Sequence, residues 1–399
     1  MEVMVNESAF TRVDSLMILP SEGLFVHLHK IRNFLRRMRC MFSRETPARD
    51  RCINLFIFWI FQLQLFYQIG YNGIYMWNAM RNHDSDPTSM CMATVVMNWI
   101  LQSIISVFYL RSWQRNSRLK QFLYLLYNSQ NFAGCKEKIK VLNRVLFGMF
   151  VLIVVINLHV IGYRLMVIYV LTPTQFDLHF QAIFYYKPLC IIAHFVAMYN
   201  ITLWIVVLAL FVLCTKAAHI EFEHFNNRVR NIGKHGSKPI NQDLLELVQV
   251  HRKLAKAVRC LDSLFEKYAF IMLATNIPTT IFSILLIGSS ANYTLNGLAV
   301  ALPSFAVCII QLMGLTATPA SLYKATCMSK EYLFSNEAVW QPYRQETYQI
   351  ATYLLSHLGQ SDLGVSIWGF AVVTKPLILT TLSAMVTLLA LLLELKRKN

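Results

Sequence analysis

Acidic residues are scarce in this chain: 21 Asp and Glu stand against 37 Lys and Arg in 399 residues, a formal net charge of +16. Charged residues of both signs make up 15% and hydrophobic residues 56%, whereas soluble domains carry roughly 25% charge. A water-soluble globule of this composition lacks the polar surface to cover its apolar mass. Glycine and proline are also few, 14 and 11 residues, which argues against a disordered or fibrous chain. Nine cysteines show no Cys-x-x-Cys and no Cys/His spacing, so neither a disulfide framework nor a zinc site is indicated. His-Glu-x-x-His, Gly-x-Ser-x-Gly and paired aspartates in apolar stretches are missing, so no enzyme, metal or cofactor motif is present. His219, Glu221, Glu223 and His224 cluster in sequence but read as one polar helix face.

What the chain has is long apolar runs: Cys52–Trp77, Cys91–Leu110, Val145–Leu171, Leu189–Cys214, Tyr268–Ser290, Leu298–Leu322 and Leu377–Leu395. A helix needs about 20 such residues to cross the hydrocarbon core. The runs are too long for strands and lack the alternation of a membrane barrel. The expectation is an all-α membrane protein with seven transmembrane helices.

Nine basic residues precede the first run, eight of them between Lys30 and Arg51. Eight lie between Arg111 and Arg144, ten between Lys216 and Lys267, and four between Lys324 and Lys375, while the alternate loops hold only Arg81 and Lys187. Lys and Arg resist translocation, so the N-terminus is expected in the cytoplasm and, after seven spans, the C-terminus outside. Lys396, Arg397 and Lys398 run against that rule. The net charge needs no nucleic acid, since positive-inside bias and anionic membrane lipids account for it. Asn292 heads an Asn-Tyr-Thr glycosylation sequon in a loop expected to face out. Cys91 and Cys190, at expected outer span ends, are a candidate pair or two buried thiols.

Between Asp243 and Phe265, Leu247, Leu254, Val258, Leu261 and Phe265 recur at three- and four-residue steps. This amphipathic helix, with Asn241 or Asp243 as N-cap, runs unbroken into span five. Span four likewise continues through Lys216–Arg230. The expected organisation is a cytoplasmic segment 1–51, a six-helix ligand-sensing bundle 52–376 with cytoplasmic helical anchor segments 215–267 and 323–363, and a pore-lining seventh helix with a short tail, 377–399.

The final helix carries a family resemblance. Thr387-Leu388, five hydrophobic residues Leu389–Leu393, then Glu394-Leu395 is similar to the closing motif of insect gustatory receptors: Thr-Tyr, five hydrophobics, Gln-Phe. Spacing and place are kept, and only Thr387 is identical. Trp368-Gly369-Phe370, the bend Thr374-Lys375-Pro376 and Val250-His251-Arg252-Lys253-Leu254 also resemble that family. Insect odorant receptors share the architecture. The resemblance implies a tetrameric ligand-gated cation channel in the plasma membrane of sensory neurons. Each subunit, alone or with related subunits, would give its last helix to one pore, with a ligand pocket among the other spans.

The last helix supports a pore reading by itself. Thr380, Thr387 and Glu394 are seven apart and fall on one stripe with Ala384 and Leu391. Such a stripe suits a helix lining water, although Thr also back-bonds to its own helix. Glu394 is the only acidic residue in any run. By the resemblance, Glu394 and Leu395 take the outer constriction, where four carboxylates would attract cations. Leu391 and Leu395 are candidate gate residues.

Candidate ligand contacts are polar and aromatic residues expected in the outer halves of spans: Tyr67, Tyr71 and Tyr75; His159, Tyr163 and Arg164; His194, Tyr199 and Asn200; and Thr280, Ser283 and Ser304. Aromatic walls with few polar groups fit a small organic tastant, more bitter or lipophilic than sugar. A G-protein-coupled receptor would need an external N-terminus, and the chain has no Asp-Arg-Tyr after span three and no Asn-Pro-x-x-Tyr in span seven. A transporter would need ionisable midplane residues beside Pro278 and Pro303, expected to break spans five and six. An N-terminal epitope tag should stay unlabelled on intact cells and become labelled on permeabilisation; labelling of intact cells would reverse the topology.

Overall fold

The computed structural model describes residues 24–40, 47–81, 87–116, 118–128, 136–169, 189–234, 239–289, 295–359 and 363–398. Among them are helices α1 (Leu24–Arg37), α2 (Ala48–Arg81), α3 (Pro87–Arg115), α4 (Arg118–Asn128), α5 (Lys136–Tyr169) and α6 (Leu189–Arg230). There follow α7 (Ile240–Ser289), α8 (Leu295–Phe334), α9 (Glu337–Trp340) and α10 (Gln345–Leu358), then strands β1 (Ser366–Ile367) and β2 (Ala371–Val372), and α11 (Lys375–Lys398). Seven stretches are long and apolar enough to cross a membrane: Ala48–Asn78, Ala93–Arg115, Lys140–Gly162, His194–Arg230, Ile240–Gly288, Ala301–Phe334 and Lys375–Glu394. They coincide with the seven apolar runs.

Helix α6 is the axis. Residues 201 to 215 are all buried, as expected for a helix apolar on every side. Helices α3, α5, α7 and α8 pack against it. Hydroxyls inside the bundle turn back on their own helices: Thr202 donates to Met198 O at 2.8 Å, Thr215 to Phe211 O at 2.8 Å and Thr316 to Leu312 O at 2.7 Å. This satisfies polar groups where no water competes. Pro278 and Pro303, expected as breaks, lie inside continuous helices. In a bundle, neighbouring helices and hydroxyls compensate the lost N–H.

At the basic end, α6, α7 and α8 extend beyond their apolar runs and pack with α10. Phe222, Phe225 and Val229 meet Leu247, Leu254, Val258 and Leu261, and Leu333, Ala351 and Leu354 complete the core. The apolar stripe read from the sequence is thus the buried face of α7. Its N-terminus differs from expectation. The helix starts at Ile240, and the carbonyl of Pro239 accepts from Gln242 N and Asp243 N at 3.0 and 3.2 Å. Asn241 instead accepts from Thr347 Oγ1, tying α7 to α10. Asn226 Nδ2, buried, donates to Ala325 O on α8 at 2.8 Å, and the half-buried Asn336 Nδ2, at the N-cap of α9, donates to Val229 O on α6 at 3.0 Å.

The β1–β2 hairpin was not foreseen in the sequence. Ser366 pairs with Val372 and Ile367 with Ala371. Asp262 on α7 accepts from Ser366 N at 2.6 Å and Ser366 Oγ at 2.8 Å, which fixes the root of α11. Gly364 lies so close to β2 that a Cβ there would meet Val372 Cγ1 at 2.5 Å. The candidate Cys91–Cys190 pair falls partly on Cys190, whose side chain is outside the described residues.

His251 sits in the extension against the rings of Phe222 and Phe225, at 6.3 and 5.6 Å. Burial first, then His357 and Arg259, push its pKa from 6.5 down to about 4. The unfolded chain therefore takes up this proton before the folded one. The stability carried by the neutral ring is complete above the ordinary value and is lost as pH falls towards the folded one. Lowering pH from about 7 to about 5 should remove about 2 kcal/mol at this residue, read as a fall in Tm of the purified chain. His251→Leu should flatten that part of the fall; an unchanged profile would place the acid sensitivity elsewhere.

Candidate ligand site and pore helix

The structure gathers the expected contact residues in two groups. In the first, Gln62 Nε2 on α2 donates to Asn200 Oδ1 on α6 at 3.2 Å, and Asn200 Nδ2 donates back to Val196 O at 2.8 Å. Tyr199 stacks edge-on against Phe61 at 4.7 Å. Its hydroxyl donates to Met38 O at 2.8 Å and lies 2.6 Å from Cys40 Sγ, while Gln114 Nε2 donates to Cys40 O at 3.0 Å. Tyr199, read from sequence as a ligand contact, therefore clamps the turn after α1 against α6. Sequence spacing could not show this, because the acceptor is a backbone carbonyl 161 residues away.

In the second group, Ser283 donates to Thr279 O at 2.7 Å and meets Ser304 Oγ at 2.8 Å, joining α7 to α8. Thr280 donates to Asn276 O at 2.8 Å. Ser283 and Ser304 thus form an interhelical tie, whereas the Thr280 hydroxyl turns back on its own helix. Tyr67 is exposed on α2, whereas Tyr71, His159 and His194 are half-buried. The side chains of Tyr75, Tyr163 and Arg164, and the whole of Asn292, lie outside the described residues.

A different cluster has the character of a binding site. Trp99, Gln102 and Ser106 follow one face of α3 at steps of three and four. Trp99 packs on Trp204 of α6 with ring centroids 6.4 Å apart, and Ser106 faces the phenol of Tyr268 on α7. The indole N–H groups of Trp99 and Trp204, both amide atoms of Gln102, Ser106 Oγ and Tyr268 OH have no hydrogen-bond partner of ordinary geometry among the described residues. Each is buried out of reach of solvent, and each unpartnered indole or amide group costs about 1–3 kcal/mol. Two indoles, an amide and two hydroxyls within an apolar bundle suit a small organic molecule with a flat apolar body and one or two polar groups. The signal was present in the sequence as a polar stripe along span two. It lies in the middle of that run, away from the outer span ends where the other candidates stand.

Helix α11 is the least enclosed of the spans together with α5. It touches α7 and α8, and among its described residues only Met385 is buried, at 7% exposure. Thr387 and Glu394 lie about half a turn around the axis from Met385, so the polar stripe points away from the chain's own bundle. Thr380, Ala384, Thr387, Leu391 and Glu394 are all exposed. Thr380 and Thr387 donate back to Pro376 O and Ser383 O at 3.0 and 2.9 Å, as the helix-internal reading anticipated. Back-bonding leaves the hydroxyl oxygen on the outer face. The side chain of Leu395 is outside the described residues.

A family model described as the seven-transmembrane chemosensory receptor family matches residues 38–396. The chain belongs to that family. The receptor is therefore a multi-pass membrane protein of the insect chemoreceptor superfamily. Its fold is similar to that of the olfactory receptor OR5 of the insect Machilis hrabei. The eugenol complex of OR5 superposes with a TM-score of 0.70 at 11% identity, covering 93% of this chain and 99% of that one. A second OR5 structure gives 0.65 with the same identity and coverage. No curated protein matches the receptor.

Gln102→Leu removes two orphaned polar atoms while keeping most of the volume. It should raise the stability of the receptor by about 1–2 kcal/mol and weaken agonist potency by about tenfold, measured by thermal unfolding and by dose–response. A lower Tm would mean that the amide is structurally partnered.

Proposed function

We propose that the chain is a gustatory receptor subunit that forms, alone or with related subunits, a tetrameric non-selective cation channel opened by a small organic tastant. The observation that carries this reading is the direction of the α11 stripe. A membrane helix exposed over most of its surface, with its polar residues facing away from its own bundle, needs a wet surface on that side. Four copies about an axis supply one. Leu391 and Leu395 then close the conduit by dewetting, and Glu394 forms a carboxylate ring that favours cations.

The basic segments set the N-terminus and the α6–α7–α8–α10 extension in the cytoplasm. The plasma membrane of sensory neurons is the corresponding location. The Trp99, Gln102, Ser106, Trp204 and Tyr268 cluster is the ligand site of this reading. Its mostly apolar walls favour bitter or lipophilic compounds over sugars. The likeness to OR5 favours a second reading, an odorant receptor subunit of the same fold; activation by volatiles rather than contact stimuli distinguishes it.

Expression with candidate co-subunits, while tastants are screened, should yield cation current without G proteins. In that current Glu394→Gln should weaken block by external divalent cations by about threefold or more. Unchanged block would remove Glu394 from the permeation path.

A further inference from the structure

The hairpin between α10 and α11 displays aromatic rings at its tip. Trp368 and Gly369 both adopt positive φ, 49° and 73°, a conformation that a bulky residue such as Trp rarely takes. Several contacts impose it: Trp368 N donates to Glu266 O at 3.2 Å, Phe370 N to Ile367 O at 3.0 Å and Gly369 N to Ser366 Oγ at 3.1 Å. The outcome is that Phe370 is 81% exposed and Trp368 48% exposed. Both rings lean on Phe270 of α7, with centroids 6.4 and 5.0 Å away. Two exposed aromatic rings on a turn held this firmly form a surface suited to a partner.

Its position identifies that partner. On α7 the charged residues Glu266 and Lys267 are followed by the uninterrupted apolar stretch from Tyr268 to Ala274. On α11, Lys375 is followed at once by Pro376, Leu377, Ile378 and Leu379. The hairpin is bound to α7 at Asp262 and Glu266 and leads directly into Lys375, so its tip lies where two spans pass together from charge to hydrocarbon. Trp, with an apolar body and one N–H donor, concentrates at that depth in membrane proteins. Exposed Lys267 and Lys375 flank the rings and suit lipid phosphates.

We infer that Trp368 and Phe370 insert into the headgroup region of the bilayer on the basic side, making the hairpin a lipid-bound foot for α11. This rests on the membrane-spanning reading and not on the channel reading, so a chain that carried no current would leave it standing.

The test uses the full chain in nanodiscs of phosphatidylcholine and phosphatidylserine, with bromines placed on the acyl chains either near the headgroup or near the chain end. The Trp368 contribution to emission is the difference between wild type and Trp368→Phe. Shallow bromines should quench it about twofold more than deep bromines or aqueous iodide. Phe370→Trp, which alters a side chain with little packing, adds an independent reporter and should show the same order. Quenching by iodide but not by shallow bromines would place the tip in water. Protection from both would mean that protein, such as a second copy of the chain, covers it. Either result overturns the inference.

Discussion

No water is available inside a bilayer to complete an unpaired hydrogen bond, and the arrangement of this receptor follows from that constraint. It makes every span a helix, since only a helix closes its backbone bonds within one segment. It turns the hydroxyls of Thr202, Thr215, Thr279 and Thr316 onto carbonyls one turn back. It pairs Gln62 with Asn200 and Ser283 with Ser304 across helices. Against that background the polar atoms of Trp99, Gln102, Ser106, Trp204 and Tyr268 are exceptions, as are single amide oxygens of Gln62, Asn72, Asn276 and Gln311 elsewhere. The grouping of the first five on three helices is the reason they are the candidate site of the proposed function.

The same constraint separates two kinds of exposed surface. Phe147, Phe150 and Leu158 on α5 are exposed, large and apolar, which suits hydrocarbon. The α11 stripe of Thr380, Thr387 and Glu394 is exposed and polar, which does not. A carboxylate facing acyl chains is costly, whereas the same carboxylate beside water is not. The proposed assembly of subunits around α11 would give that stripe a wet face.

The polar cluster and α11 are physically joined through α7 and the hairpin at the base of α11. Helix α7 carries Tyr268 beside the polar cluster, and within two turns of it Asp262 and Glu266 hold the β1–β2 hairpin. In the proposed channel this continuous helix and its short hydrogen bonds are the route from the cluster to the hairpin. Tyr199 adds a second link, from α6 to the turn at Met38–Cys40.

The sequence by itself determined the seven spans, the long extensions of α6 and α7, the buried stripe Leu247–Phe265 and the polar stripe of α11. Each is written as a run or a period along one segment, and burial of apolar surface acts on that pattern wherever the neighbours lie. The tertiary structure alone decided which polar residues are ties and which remain open. Tyr199 and Asn200 look like ligand contacts until Met38 and Gln62 arrive from elsewhere in the chain, and Gln102 looks ordinary until its neighbours fail to satisfy it. The direction of the α11 stripe was equally undecided, because a period identifies a face, whereas only the packing of Met385 shows which way that face is turned. Hydrogen-bond partners are chosen by proximity in space, and that proximity is created only when the helices assemble.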